Sequence, residues 1–87
     1  MSIRQPRYGM EEHARRGDAI YEQHVRAQVE TAHLGKIVAV DIESGDYEVA
    51  ENVVSACQSL LARQADAQIW CIRIGYPAVY QFGTLTE

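Results

Sequence analysis

The sequence predicts an α+β fold: an N-terminal helix followed by a ββαββ unit, a small antiparallel sheet with a helix packed on one face. Apolar residues recur at helical spacing over residues 10–30, and two apolar, β-branched runs at 36–42 and 68–75 have strand character. Because 87 residues suffice for one small core, we expect a core domain at 36–83 and, before the helical arm, a flexible lead-in at 1–9.

The first helix is predicted over residues 10–30. Its apolar stripe comprises Met10, Ala14, Gly17, Tyr21, Val25 and either Gln28 or Val29, with Ile20 and His24 beside them. A glycine inside a helix costs about 1 kcal/mol relative to alanine. Gly17 therefore marks either a break capped by Asp18 or a site of close packing. The stripe is thin, so we expect this helix to gain stability from another surface.

The central strand is predicted at residues 36–42. Residues 43–46, "ESGD", have turn chemistry, and residues 47–50 return as the second strand of a hairpin. The strongest helical pattern follows at residues 51–63. The residues predicted on one face of this helix are Val53, Cys57, Leu60, Leu61 and Gln64.

A further strand is predicted at residues 68–75, and a short final strand at 78–82. The predicted third strand has Trp70, Ile72 and Ile74 on one face and Ile69, Cys71 and Arg73 on the other. A crossover through the middle helix then gives the strand order 2-1-3-4. One sheet face is covered by this middle helix. The other must be covered by the N-terminal helix, by a second copy of the chain or by a partner.

Charge is unevenly distributed along the chain. The net charge is −4, which argues against general nucleic-acid binding. By segment, residues 1–16 contribute +2, residues 17–36 contribute −1 and residues 37–87 contribute −5. A basic arm thus precedes an acidic body. The sequence shows no run of membrane-spanning length and no signal-peptide pattern, so we expect a cytoplasmic protein with no membrane partner.

Asp41 and Glu43 are two residues apart in "VAVDIES", a pattern similar to the first motif of proofreading 3′–5′ exonucleases. A two-metal nuclease needs further carboxylates and a base, and no histidine follows His33. The alternative, an acidic hairpin turn, is therefore favoured. The histidine spacing predicts no metal site, and Cys57 and Cys71 are predicted to be small buried hydrophobes. We expect no cofactor and no enzymatic activity.

The N-terminal segment carries the residue types that anchor protein interfaces, arginine and tyrosine. The candidate partner-binding residues are Arg7, Arg15, Arg16, Ile20, Tyr21 and Arg26. In this interpretation Arg15 and Arg16 reach acidic groups on a partner, and Ile20 and Tyr21 anchor the contact. The alternative is a helix that packs on its own domain and leaves a charged face in solvent.

The stretches "RYGMEEHARRGDAIYE", "GKIVAVDIESGDYEV" and "AQIWCIRIGYPAVYQFG" together resemble a family of small cyanobacterial proteins. The resemblance implies an antitoxin paired with a PIN-domain (VapC-type) ribonuclease toxin. Such a nuclease has an acidic metal-binding pocket, in which arginines could take the place of metal and substrate. The first helix lacks the DNA-binding motif of many antitoxins, so operator binding is not predicted. The alternative is a homodimeric structural or assembly protein whose N-terminal helix packs on its twin.

Overall fold

The computed structural model describes residues 8–76 and has the predicted α+β composition. In chain order its elements are α1 (Met10–Ile20), a π-helical turn (Tyr21–Val25), α2 (Arg26–Val29), β1 (Ile37–Asp41), β2 (Tyr47–Ala50), α3 (Val53–Arg63) and β3 (Ile69–Arg73). The final strand predicted at 78–82 lies outside the described residues, as does most of the predicted lead-in. The described core is therefore ββαβ, and the complete ββαββ unit stays a prediction.

The three strands form an antiparallel sheet in the order β2-β1-β3. Val38 of β1 lies opposite Val49 on one side and Ile72 on the other. The β1–β2 hairpin closes where the Asp41 amide donates to the Asp46 carbonyl at 2.8 Å. Gly45 in this turn has φ +85°, a backbone region that favours glycine. The sequence thus correctly predicted the hairpin and the central place of β1.

Each face of the sheet is covered by a helix of the same chain. The cluster on the face toward the N-terminal helix consists of Tyr21, Val25, Val29, Val38, Val40, Ile42, Trp70, Ile72 and Ile74. The cluster under α3 consists of Ile37, Ala39, Ala56, Leu60 and Ala67. All five residues of β1 are buried, because this strand lies between two helical layers. The sequence left three alternatives for the cover of the face opposite α3. In the structure, the N-terminal helix covers it.

Helix α1 runs unbroken through Gly17, and the reason is its approach to Trp70. A Cβ atom on Gly17 would fall inside the van der Waals envelope of the Trp70 indole ring. Trp70 in turn contacts Tyr21, with ring centroids 6.0 Å apart. Of the two alternatives for Gly17, close packing is therefore the one that the fold adopts.

The π-helical turn keeps the apolar stripe of the helix aligned with the sheet. Gly17, Tyr21, Val25 and Val29 are all buried and follow one another at intervals of four residues. In a regular α-helix, with 3.6 residues per turn, each such interval rotates the next side chain by about 40° away from the stripe. A π turn has more residues per turn and offsets this drift. Val29, rather than Gln28, therefore completes the stripe.

Helix α3 begins later than predicted, and Val53 at its start lies outside the buried face. Asn52 is its N-cap, and the Asn52 side chain accepts a hydrogen bond from the Ser55 amide at 2.8 Å. Ala56 and Leu60 are fully buried against the sheet, whereas Val53 is 48% exposed. The prediction of Val53 on the buried face was wrong, because the helix is rotated so that the smaller Ala56 lies against β1.

Candidate protein-binding surface

The solvent-facing side of the N-terminal helix carries three arginines and three glutamates in two ion-paired groups. We call this surface the arginine face, and it comprises Glu12, Arg15, Arg16, Glu22, Arg26 and Glu30. It exists because the opposite side of the helix is buried on the sheet, which leaves the polar positions in water. The arginine side chains are between 45% and 68% exposed.

In the first group, Glu12 accepts hydrogen bonds from two guanidinium groups. Arg15 donates at 2.5 Å and Arg16 at 2.9 Å, from positions three and four residues further along the helix. The Arg15 hydrogen bond is the main cause that lowers the pKa of Glu12 below its usual value. The Arg16 guanidinium also lies 4.2 Å above the ring of Tyr8, within cation–π distance.

In the second group, Arg26 bridges two glutamates, one helical turn on either side. It donates to Glu22 at 2.8 Å and to Glu30 at 3.1 Å. These two hydrogen bonds raise the pKa of Arg26, so its charge is permanent. Over residues 10–30 there are three arginines and five acidic residues, so this segment has a net charge of −2. The exposed side of this helix therefore carries ordered charge pairs, and residues 10–30 do not form a cationic arm.

Two of the candidate binding residues contribute to the core instead. Tyr21 is 3% exposed, and its hydroxyl group is buried with no hydrogen-bond partner among the described residues. Ile20 is half-buried and packs against the same core cluster. Tyr21 is therefore not available as a surface anchor while the helix stays docked. Arg7 lies outside the described residues.

A second exposed region adjoins Arg26. A surface depression lies between Arg26 and Tyr76, and its lining residues are Tyr21, Glu22, Arg26, Glu30, Gly75 and Tyr76. Tyr76 is 58% exposed and lies 5.9 Å from the Arg73 guanidinium. Leu34, which packs on Gly75, is 66% exposed. These residues were not predicted from the sequence, although the "GYP" turn was a signal that an aromatic side chain would be exposed there.

The acidic turn that resembles an exonuclease motif has a structural role for its first carboxylate. Asp41 is buried, and its Oδ1 accepts hydrogen bonds from the amides of Glu43 at 3.1 Å and Gln68 at 3.0 Å. Its Oδ2 accepts from the Ser44 hydroxyl at 2.9 Å. Burial alone would raise the pKa of Asp41, but these hydrogen bonds outweigh it and lower the pKa. Asp41 thereby fixes the hairpin turn to the start of β3.

The histidines are dispersed over the described part of the chain. His13 joins α1 to the sheet through a hydrogen bond between its Nε2 and the Ile69 carbonyl at 2.8 Å. No spacing in the sequence signalled this contact, because the two residues are 56 positions apart. Within residues 8–76, no three His, Cys, Asp or Glu side chains are grouped to hold a metal ion. None of the helices in this part of the chain is long and apolar enough to cross a membrane.

The chain was compared with known protein families, curated proteins and solved structures. No protein-family model, no curated protein and no solved structure matches it. The relation to a family of small cyanobacterial proteins, drawn from the sequence, stays a prediction.

Proposed function

We propose that this protein acts by binding another protein, and that its partner is a PIN-domain ribonuclease toxin that it neutralises as an antitoxin. The observation that carries the proposal is the arginine face. There Arg15 and Arg16 share one carboxylate, that of Glu12, on an exposed helix surface. When the partner binds, one of its carboxylates can take the place of the Glu12 carboxylate beside the two guanidinium groups.

The exchange of carboxylates costs little in free energy. An exposed ion pair on a helix contributes little to stability because solvent screens it, so releasing Glu12 sacrifices little stability. In a partner pocket from which water is excluded, the same arginines would form stronger, charge-assisted hydrogen bonds. The difference between these two environments is the source of affinity.

The docked position of the helix also supports binding. Because α1 packs on the sheet through Ala14 and Gly17, the arginine face has a fixed backbone before the partner arrives. A fixed backbone reduces the ordering entropy that association would otherwise cost. Inhibition then follows from occupancy, since guanidinium groups in an acidic metal-binding pocket exclude both the catalytic cation and the RNA.

The test first asks whether a PIN-domain protein is encoded beside this chain in its genome, and then uses that protein as the binding partner. We expect the wild-type chain to bind it and to suppress its ribonuclease activity. The Arg15→Glu/Arg16→Glu variant should bind at least about thirtyfold more weakly, since breaking one desolvated charge pair costs about 2–5 kcal/mol. Affinity is measured by calorimetric titration, and inhibition by cleavage of a labelled RNA.

A matched control is the Lys36→Glu/Arg63→Glu variant. It makes the same charge change and also disrupts two exposed ion pairs, those with Glu51 and Glu48, away from the arginine face. We expect its affinity to stay within a few-fold of wild type. Equal losses in both double variants would refute the assignment to Arg15 and Arg16. Failure of the wild-type chain to bind the PIN-domain protein would refute the antitoxin role.

A further inference from the structure

Two cysteines from different elements face each other beneath helix α3. The Sγ atoms of Cys57 in α3 and Cys71 in β3 are 3.6 Å apart, and both residues are half-buried free thiols. They lie beside the core cluster that α3 forms with the sheet. At this separation the sulfur atoms are in van der Waals contact, so no element has to be brought across the molecule for them to react.

We propose that Cys57 and Cys71 form a reversible disulfide that joins α3 to β3 when the chain meets a low-molecular-weight disulfide. This modification site stands on the geometry of the two thiols alone and is independent of the toxin-binding proposal.

The fold accommodates the bond with a small displacement. A disulfide has an S–S length of about 2.05 Å, so the sulfurs must approach by roughly 1.5 Å. Two of the neighbouring residues are small. Ala39 lies opposite Cys71 in the sheet, and Ala56 precedes Cys57 in α3; both are fully buried. Because α3 and β3 are regular elements held on one core, the thiols also have a high effective concentration relative to each other.

The reaction proceeds by thiol–disulfide exchange with oxidised glutathione. The Cys57 thiolate attacks one glutathione sulfur, forms a mixed disulfide and releases one glutathione thiolate. Cys71 then loses its proton to solvent and attacks the Cys57 sulfur, which releases the second glutathione thiolate. The two protein thiols lose two electrons and two protons in total, and the oxidised glutathione becomes two reduced glutathione molecules.

The order of the two steps follows from the environment of Cys71. Burial, together with the neighbouring Cys57 thiol, raises the pKa of Cys71 to about 12. Its thiolate is therefore scarce at neutral pH, and Cys71 acts second, when the mixed disulfide has been formed next to it. The sequence predicted two buried side chains, whereas both thiols are only half-buried and pack beside the core cluster.

The bond would restrain the unfolded chain as well as the folded one. It closes a loop of fifteen residues, counted from Cys57 to Cys71 with both included. For a loop of that size, chain entropy predicts that the unfolded fraction falls by roughly a hundredfold. We therefore expect a higher thermal midpoint in the oxidised chain than in the reduced chain.

The decisive experiment is a titration of the full chain against buffers of reduced and oxidised glutathione, with acid quenching and intact-mass analysis. The folded chain should convert to a monomer lacking two hydrogens, and it should do so in more reducing buffers than the same chain unfolded in urea. If the folded chain requires buffers as oxidising as the unfolded chain does, or accumulates glutathione adducts or disulfide-linked dimers, the proposal is overturned.

Single variants test the order of the steps. Cys71→Ser should trap glutathione on Cys57, because the resolving thiol is absent. Cys57→Ser should take up glutathione more slowly than Cys71→Ser, because burial, the largest cause of the raised pKa of Cys71, remains when the Cys57 thiol is removed. Equal uptake by both variants would overturn the assigned order. The wild-type titration still decides the bond itself if one variant fails to fold.

Discussion

Trp70 determines the residue at position 17. The indole ring lies against the backbone of α1 at Gly17, and the ring of Tyr21 flanks it one turn further along. A glycine normally weakens a helix, by about 1 kcal/mol relative to alanine. Because Gly17 has no side chain, Trp70, the largest side chain of the core, has room to pack against the helix backbone. The local cost to the helix is outweighed by the close packing between helix and sheet.

We therefore expect Gly17→Ala to destabilise the protein although alanine is the better helix former. The added methyl group overlaps Trp70, and overpacking of this kind costs about 1–3 kcal/mol even after relaxation. The measurement is the urea midpoint of unfolding. Gly9→Ala is the matched control, since a Cβ at Gly9 contacts nothing within 4 Å. A more stable Gly17→Ala variant would contradict the close packing.

Asp41 illustrates how a buried carboxylate links stability to pH. Its pKa is lower in the folded chain than its ordinary value because its oxygens accept three hydrogen bonds. The folded state thus favours the charged form. The stabilisation is fully present above the ordinary aspartate pKa of about 3.9 and is lost as the pH falls through the lower folded value.

Asp41→Asn should reduce the free energy of unfolding at neutral pH by about 1–3 kcal/mol, because one amide nitrogen replaces an acceptor that faces donors. The variant should also lose less stability than wild type on acidification from about pH 6 to pH 3, since it has no proton to gain at this position. Urea unfolding at a series of pH values measures both effects. Parallel pH profiles for the two proteins would contradict this role of Asp41.

At the scale of elements, the π-helical turn is a single-residue adjustment inside a longer helix. The residues at intervals of four, from Gly17 to Val29, keep one direction only because the turn at Tyr21–Val25 is wide. Removal of one residue from that turn would convert it to α-helix. The residues before and after it would then keep their contacts with the sheet. The same removal from a regular helix would rotate everything beyond it by about 100°.

Deletion of the exposed Gln23, in the π turn, should leave most of the stability of the protein intact. The measurement is a urea denaturation curve monitored by circular dichroism. A loss of about 2–5 kcal/mol, the cost expected when a large buried side chain leaves its core position, would show that the wide turn is not a one-residue insertion.

The elements were predictable to different extents, for identifiable reasons. The strands around Val38 and Ile72 and the turn at Gly45 follow from local composition, and their bounds were predicted within two residues. The start of α3 was misplaced because Glu51 forms an ion pair with Lys36, and Asn52 provides the cap. The π turn could have been suspected from the repeated interval of four. No local sequence pattern indicates how α3 is rotated about its axis, so the burial of Ala56 could not be predicted.

For the molecule as a whole, the main finding is that the N-terminal helix is a layer of the domain. It covers Val38, Val40 and Ile72, which would otherwise expose an apolar sheet face. The sequence left three alternatives for what covers this sheet face, because periodicity identifies an apolar face but not the element that packs on it. The arginine face was predicted in part: Arg15, Arg16 and Arg26 are exposed, yet the spacing of Glu12, Glu22 and Glu30 already favoured their pairing within the helix.

If the helix and the sheet share one core, they should unfold together. Amides of Val25 and Val29 in the helix should then exchange with solvent deuterium at a free energy close to that of Val38 and Val40 in β1. The expected protection factors lie within about tenfold of one another. The measurement is native-state hydrogen exchange followed by NMR. Helix amides that exchange thousands of times faster would instead indicate an arm that orders separately from the sheet.

The placement of Trp70 also gives the molecule a built-in optical reporter. It is the only tryptophan in the chain, and its indole ring lies between the first helix and the sheet. Its emission wavelength therefore registers whether that helix is docked, with no label added. A partner that binds to the outer side of the docked helix leaves the emission blue, whereas one that strips the helix from the sheet shifts it to the red. One spectrum of the complex thus distinguishes two mechanisms of recognition.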